Sequence, residues 1–64
     1  MNAIEVHRKK LGLTQIDLAK EMNVTQANIS QWETGEAMPR AEKLPQLAKV
    51  LQCEISDLFK SEEK

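Results

Sequence analysis

QIDLAKEMNVTQANISQWETG, residues 15–35 of a 64-residue chain, reads as two short helices joined by a tight turn. The hydroxyl of Thr14 is placed to cap the free N–H groups of the first helix. Asp17, three residues on, completes a pattern close to a capping box and suits the positive end of the helix dipole. Leu18, Ala19 and Met22 then fall on one face at helical spacing. Asn23 stops the helix, because asparagine tolerates the left-handed conformation that a sharp turn needs, and Val24 plugs the corner. Thr25 caps the second helix, whose inner face is Ile29 and Trp32. Gln26, Ala27, Ser30 and Gln31 are left outside, with Asn28 near the edge, and Gly35 supplies the stop. Ala19 lies where the two helices cross, and its small side chain lets them approach closely.

Two helices joined by a three- to four-residue turn make a helix-turn-helix. At this point the chain resembles the Cro and repressor type of phage and bacterial DNA-binding domains. The residues that carry the resemblance are Gln15, Leu18, Ala19, Thr25, Gln26, Ile29, Trp32, Glu33 and Gly35, with Arg8, Leu11 and Gly12 before them and Leu44, Leu47, Ala48, Leu51, Asp57 and Leu58 after. Nearly the whole chain is covered. The resemblance implies an all-α, compact five-helix domain of the phage-repressor type. It also implies a transcriptional regulator of double-stranded DNA, with a recognition helix at about residues 25–34 in the major groove.

The bulk properties agree with one small domain, residues 1–64, with 61–64 a frayed tail that has no hydrophobic anchor. A chain of this size buries only about 60% of its unfolded surface. One cysteine permits neither an intramolecular disulfide nor a thiolate metal cluster, and no metal or other cofactor is implied. Cys53 reads as a small buried hydrophobe. No apolar run is long enough for a bilayer and no signal peptide is seen, so the expected compartment is a reducing bacterial or phage-infected cytoplasm. Trp32 and Phe59 are the only aromatics, and little β-type alternation occurs, so no sheet is expected. The net charge of −1 runs against the usual basic binder of nucleic acid. Its distribution is dipolar, however. His7, Arg8, Lys9 and Lys10 stand against Glu54, Asp57, Glu62 and Glu63, and such a surface can still present a positive face.

Along the chain, residues 2–11 read as a first helix with Ile4 and Leu11 inward and Arg8 between them on the same stripe. An arginine there needs a partner, since an unpaired buried charge is costly. The resemblance supplies one: in such domains this arginine pairs with the glutamate near the end of the recognition helix, here Glu33, and faces a phosphate second. Gly12 ends the helix and Leu13 packs just before Thr14. His7 is a surface residue. Residues 36–39 form a loop with Met38 tucked into the core. Pro45 is cheap only in a first turn, so the next helix starts close to Leu44 and ends near Leu51, with residues 41–43 a separate turn. Its Leu44, Leu47, Ala48 and Leu51 face the core. A last short helix, about residues 54–59, carries Ile55 and Leu58 inward.

Amide side chains suit adenine, which offers one donor and one acceptor in the major groove. Gln26, in the first turn, has that chemistry, and Gln31 reaches neighbouring bases. Ala27 offers an apolar contact, for example to a thymine methyl, where relatives often carry a polar residue. Asn28 reads a base or holds a phosphate. Gln15, beside the free N–H groups of its helix, is a phosphate ligand, as are Thr25 and Thr34. Arg40 and Lys43 contact the backbone or minor groove, although Glu36 makes this loop less basic than in some relatives. One helix reads few base pairs, so a two-fold dimer on a palindromic operator is expected, weak until DNA is present and formed through about residues 51–59. The alternative is an antitoxin-like or adaptor protein that mainly holds a protein partner. An enzyme is not expected: the sequence offers no nucleophile with a base and no glycine-rich phosphate loop.

Overall fold

Four α-helices and two 3-10 segments follow one another in the computed structural model, which describes residues 3–59. They are α1 (Ala3–Lys10), α2 (Gln15–Met22), α3 (Gln26–Thr34), a 3-10 turn (Ala41–Lys43), α4 (Leu44–Leu51) and a closing 3-10 helix (Ile55–Phe59). Among the described residues there is no strand. The expected helical start at Asn2 and the frayed tail lie outside the described residues.

The helices begin and end where short-range chemistry dictates. Thr14 Oγ1 accepts from the Asp17 N–H at 3.0 Å, and Asp17 Oδ2 accepts from the Thr14 N–H at 3.0 Å. Thr25 and Asn28 form the same reciprocal box at the start of α3. α1, α2 and α4 share one ending. A residue in the left-handed region (Gly12 at φ 74, Asn23 at φ 59, Gln52 at φ 58) is followed by an N–H that reaches back over the last turn. These bonds run from Leu13 to the Arg8 carbonyl (3.1 Å), from Val24 to Ala19 (2.9 Å) and from Cys53 to Ala48 (2.9 Å). Glycine and asparagine adopt that conformation readily; glutamine does so at a cost. Pro45 stands in the first turn of α4, where its missing N–H has no partner to lose.

One core holds the elements together. Leu18 and Met22 of α2, Ile29 and Trp32 of α3, and Leu47 and Leu51 of α4 meet with Ile4 and Leu58, while Ala19 and Ala48 keep the helices close. Gln46 Nε2 donates to the Glu21 carbonyl at 3.1 Å and ties the start of α4 to the end of α2. Val24 and Cys53 close the corners as partly buried members of the packing. Burial, and then the charge of Asp57, push the Cys53 thiol up, so it stays protonated and behaves as a small apolar group.

Four expectations are corrected. The fifth element is not an α-helix. The Asp57 N–H bonds the Glu54 carbonyl three residues back (2.9 Å) and Asp57 Oδ2 accepts the Glu54 N–H (3.0 Å), so the segment winds as 3-10. In a 3-10 helix, residues three apart line up about 6 Å apart along the axis. Leu58 reaches the core, and Ile55, beyond its rim, stays 40% exposed. Leu11 is 37% exposed; α1 has ended at Lys10, so Leu11 falls on the turn and out of helical register. Met38 is 63% exposed, and the neighbouring Pro39 is the buried residue of that loop.

Replacing Gln52 by glycine should raise stability by about 1 kcal/mol, since it removes a left-handed L-residue. Thermal unfolding reads this directly, and a lower melting temperature would mean that the glutamine side chain contributes more than its backbone costs. The Asp17 carboxyl is held below the ordinary range by the Thr14 backbone N–H and then by the Thr14 hydroxyl. A depressed folded-state pKa stabilises the fold above the unfolded value of 3.8, and that contribution is lost as the pH falls through the folded value. The melting-temperature gap between wild type and Asp17→Asn should therefore close in acid. A gap that persists would assign the cap to side-chain shape rather than charge.

Candidate nucleic-acid interface

Arg8 sits on the buried side of α1 and is only 7% exposed. Its Nε donates to Glu33 Oε2 at 2.6 Å, its Nη2 to Glu33 Oε1 at 3.1 Å, and its Nη1 to the Leu13 carbonyl at 2.8 Å. This two-pronged, charge-assisted contact clamps α1 and the following turn onto α3. All three nitrogens are engaged inside the protein. The phosphate-facing role expected for Arg8 is thereby corrected: burial leaves the guanidinium to the fold.

Glu33 Oε1 also accepts from Gln15 Nε2 at 2.9 Å. A carboxylate only accepts, so the Gln15 amide must turn its nitrogen inward and its oxygen outward. That oxygen accepts from Gln26 Nε2 at 3.3 Å. A continuous line of hydrogen bonds thus runs from the Leu13 carbonyl through Arg8, Glu33 and Gln15 to Gln26 on the surface. The Gln15 side chain links the buried pair to the outermost amide and keeps a second N–H besides. Gln15 and Glu33 stand eighteen positions apart, a separation that carries no periodic signal that would have announced the contact.

On α3 the helical period separates two faces. Ile29, Trp32 and Glu33 are buried, Ser30 is half-buried, and Gln26, Ala27, Gln31 and Thr34 are exposed. Gln26 lies on the flank toward Gln15. Asn28 lies on the opposite flank and, with Trp32, Met38, Arg40 and Lys43, borders a hollow of about 290 Å³. Thr25 Oγ1 accepts from the Asn28 N–H (3.1 Å) and donates to Asn28 Oδ1 (3.0 Å), which also accepts the Thr25 N–H (3.3 Å). Both side-chain oxygens therefore serve the cap. Asn28 keeps its amide nitrogen for a ligand, and a lone donor matches a phosphate oxygen better than the paired donor and acceptor of adenine. The Thr34 hydroxyl donates to the Gln31 carbonyl at 3.2 Å. Arg40 is exposed and Lys43 half-buried. The result is a row of amides and one methyl along the helix, with two cations on one side.

Arg8→Ala should cost about 3–5 kcal/mol, because it strands the Glu33 carboxylate in the interior. The paired replacement Arg8→Met with Glu33→Leu should recover most of that loss in urea unfolding. An equal loss in the double variant would place the stability in the bonds to Leu13 and Gln15 rather than in the paired charge.

Comparison with known proteins places this geometry. The helix-turn-helix family profile matches residues 4–58. The chain is similar to the HTH-type transcriptional regulator DicA of Escherichia coli, at 42% identity over 62 residues, which is 95% of this chain and 46% of that protein. It is also similar to repressor protein C2 of Salmonella phage P22, at 42% identity over 59 residues, 92% of this chain and 27% of that protein. It therefore spans less than half the length of either relative. Among solved structures, the P22 c2 repressor in complex with a synthetic operator superposes with a TM-score of 0.83 at 44% identity, covering 89% of this chain and 86% of that one.

Proposed function

The chain belongs to the Cro/repressor-type helix-turn-helix family, and from that premise we propose that it is a transcriptional regulator that binds double-stranded DNA sequence-specifically, with α3 in the major groove. The observation that carries this reading is the exposed amide face of α3, Gln26 and Gln31, mounted on a dry core by the Arg8–Glu33 pair. Likeness to a repressor seen on its operator supports it.

Gln26 is the principal base reader. With one N–H held by Gln15, its amide keeps an oxygen and a second N–H, the pair that adenine's N6 and N7 require. Gln15 is a positioning residue that orients this amide. Gln31 reads a neighbouring base and Ala27 packs on a thymine methyl. Arg40, Lys43 and the Asn28 amide nitrogen hold phosphates on one flank, with Thr25 and Thr34 as weaker contacts because their hydroxyls are already engaged. Two copies related by a two-fold axis would set their α3 helices about 34 Å apart on one face of a palindromic operator. Leu51 and Leu58 are consumed by the chain's own core, so Ile55 and Phe59, both exposed, are the residues left for that contact. No helix among the described residues is long and apolar enough to cross a membrane, and a cytoplasmic regulator that performs no catalysis fits the chain.

Selection of duplexes from a random pool, at stated salt, should return a palindrome with an adenine at a fixed place in each half. Gln26→Ala should then cost about 1–3 kcal/mol at that base pair and relax discrimination there. Gln15→Ala should relax the same pair and leave the others alone. A uniform loss across all sequences in both variants would contradict the reading of Gln26 and the orienting role of Gln15.

A further inference from the structure

Glu36 follows Gly35 directly off the end of α3 and is exposed. Its N–H donates to Thr34 Oγ1 at 3.4 Å, and its Oε1 lies 3.4 Å from the same hydroxyl, whose single proton is shared with the Gln31 carbonyl at 3.2 Å. The carboxylate is therefore folded back along the last turn of α3. Thr34 shares the outward stripe of Ala27, Ser30 and Gln31, so the negative charge lies at the edge of the amide face. Neither the Arg8–Glu33 nor the Lys9–Glu5 ion pair involves it. A carboxylate at a helix C-terminus also meets the negative end of the dipole, so this placement does nothing for α3. On the Asn28 flank of α3, Arg40 and Lys43 carry the positive charge that Glu36 partly offsets. The buried Arg8 is neutralised by Glu33 and adds no net charge.

Building on the DNA-binding reading above, we propose that Glu36 is an affinity-limiting residue of the interface. Its fixed charge repels the phosphate backbone wherever α3 approaches a duplex. Non-specific binding is almost entirely phosphate attraction, so this repulsion keeps the chain from lingering on arbitrary sequence. The uncharged contacts of Gln26 and Gln31 then decide where it stays. The repulsion is an electrostatic effect of the local face, not of the net charge of the molecule.

The test compares wild type, Glu36→Gln and Glu21→Gln on the selected operator duplex and on a scrambled duplex of equal length, between about 50 and 200 mM salt. Glu21→Gln makes the same change in net charge at the far end of α2, beside Leu11, Leu13 and Val50. Glu36→Gln should tighten both duplexes by about threefold at the low-salt end, with the gain shrinking as salt screens it. Glu21→Gln should stay at the wild-type affinity. Equal gains in the two variants would overturn the proposal, since net charge alone would then account for the effect. So would an unchanged affinity in Glu36→Gln, or a loss confined to the operator duplex, which would make Glu36 an acceptor for a base amino group. Failure of the wild type to bind any selected duplex would instead overturn the DNA-binding reading itself.

Discussion

The structure turns on the buried contact between Arg8 and Glu33. Hydrophobic packing is strong but non-directional, and the core of leucines, Ile29 and Trp32 would tolerate some rotation of α3 about its axis. A forked bond at 2.6 and 3.1 Å does not. It fixes which way α3 faces, and through the Leu13 carbonyl it fixes where the turn before α2 lies. A buried ion pair contributes little net stability compared with apolar residues of the same volume. What it supplies here is direction.

That direction is passed outward by elementary hydrogen-bond logic. Glu33 only accepts, so Gln15 must present its nitrogen to it, and so Gln26 meets an oxygen. A long amide that would otherwise lose rotamer freedom on meeting a ligand is already partly ordered, which lowers the entropic cost of the contact it makes. At the other end of the face, Thr25 and Asn28 satisfy one another at the cap. The polar residues of α3 are thus divided between those that build the helix and those left for a partner. Uncharged amides dominate the second group, and Glu36 partly offsets Arg40 and Lys43 beside them. Such a surface is suited to discrimination by geometry more than to capture by field.

Much of this was legible in the sequence because it rests on neighbours three or four residues apart. Both capping threonines, the left-handed Asn23, the first-turn Pro45 and the inward faces of α2, α3 and α4 are consequences of local backbone chemistry and helical period. The resemblance to repressor domains added the Arg8–Glu33 pairing, which no period would reveal. Leu11, Met38 and Ile55 were misread because each lies on a turn, loop or 3-10 segment, where hydrophobicity persists but the helical register that would aim the side chain inward does not.

What the chain determined by itself, then, is where its helices start and stop and which stripe of each is apolar, since those depend on interactions within a turn or two. What only the tertiary structure decided is the assignment of individual polar groups. Arg8 was withdrawn from the surface, Gln15 became the link between Glu33 and Gln26, and the oxygen of Asn28 was spent on the cap. Such assignments depend on which donor and acceptor meet across eighteen or twenty-five residues of chain, and a distance of that kind is set by packing in three dimensions.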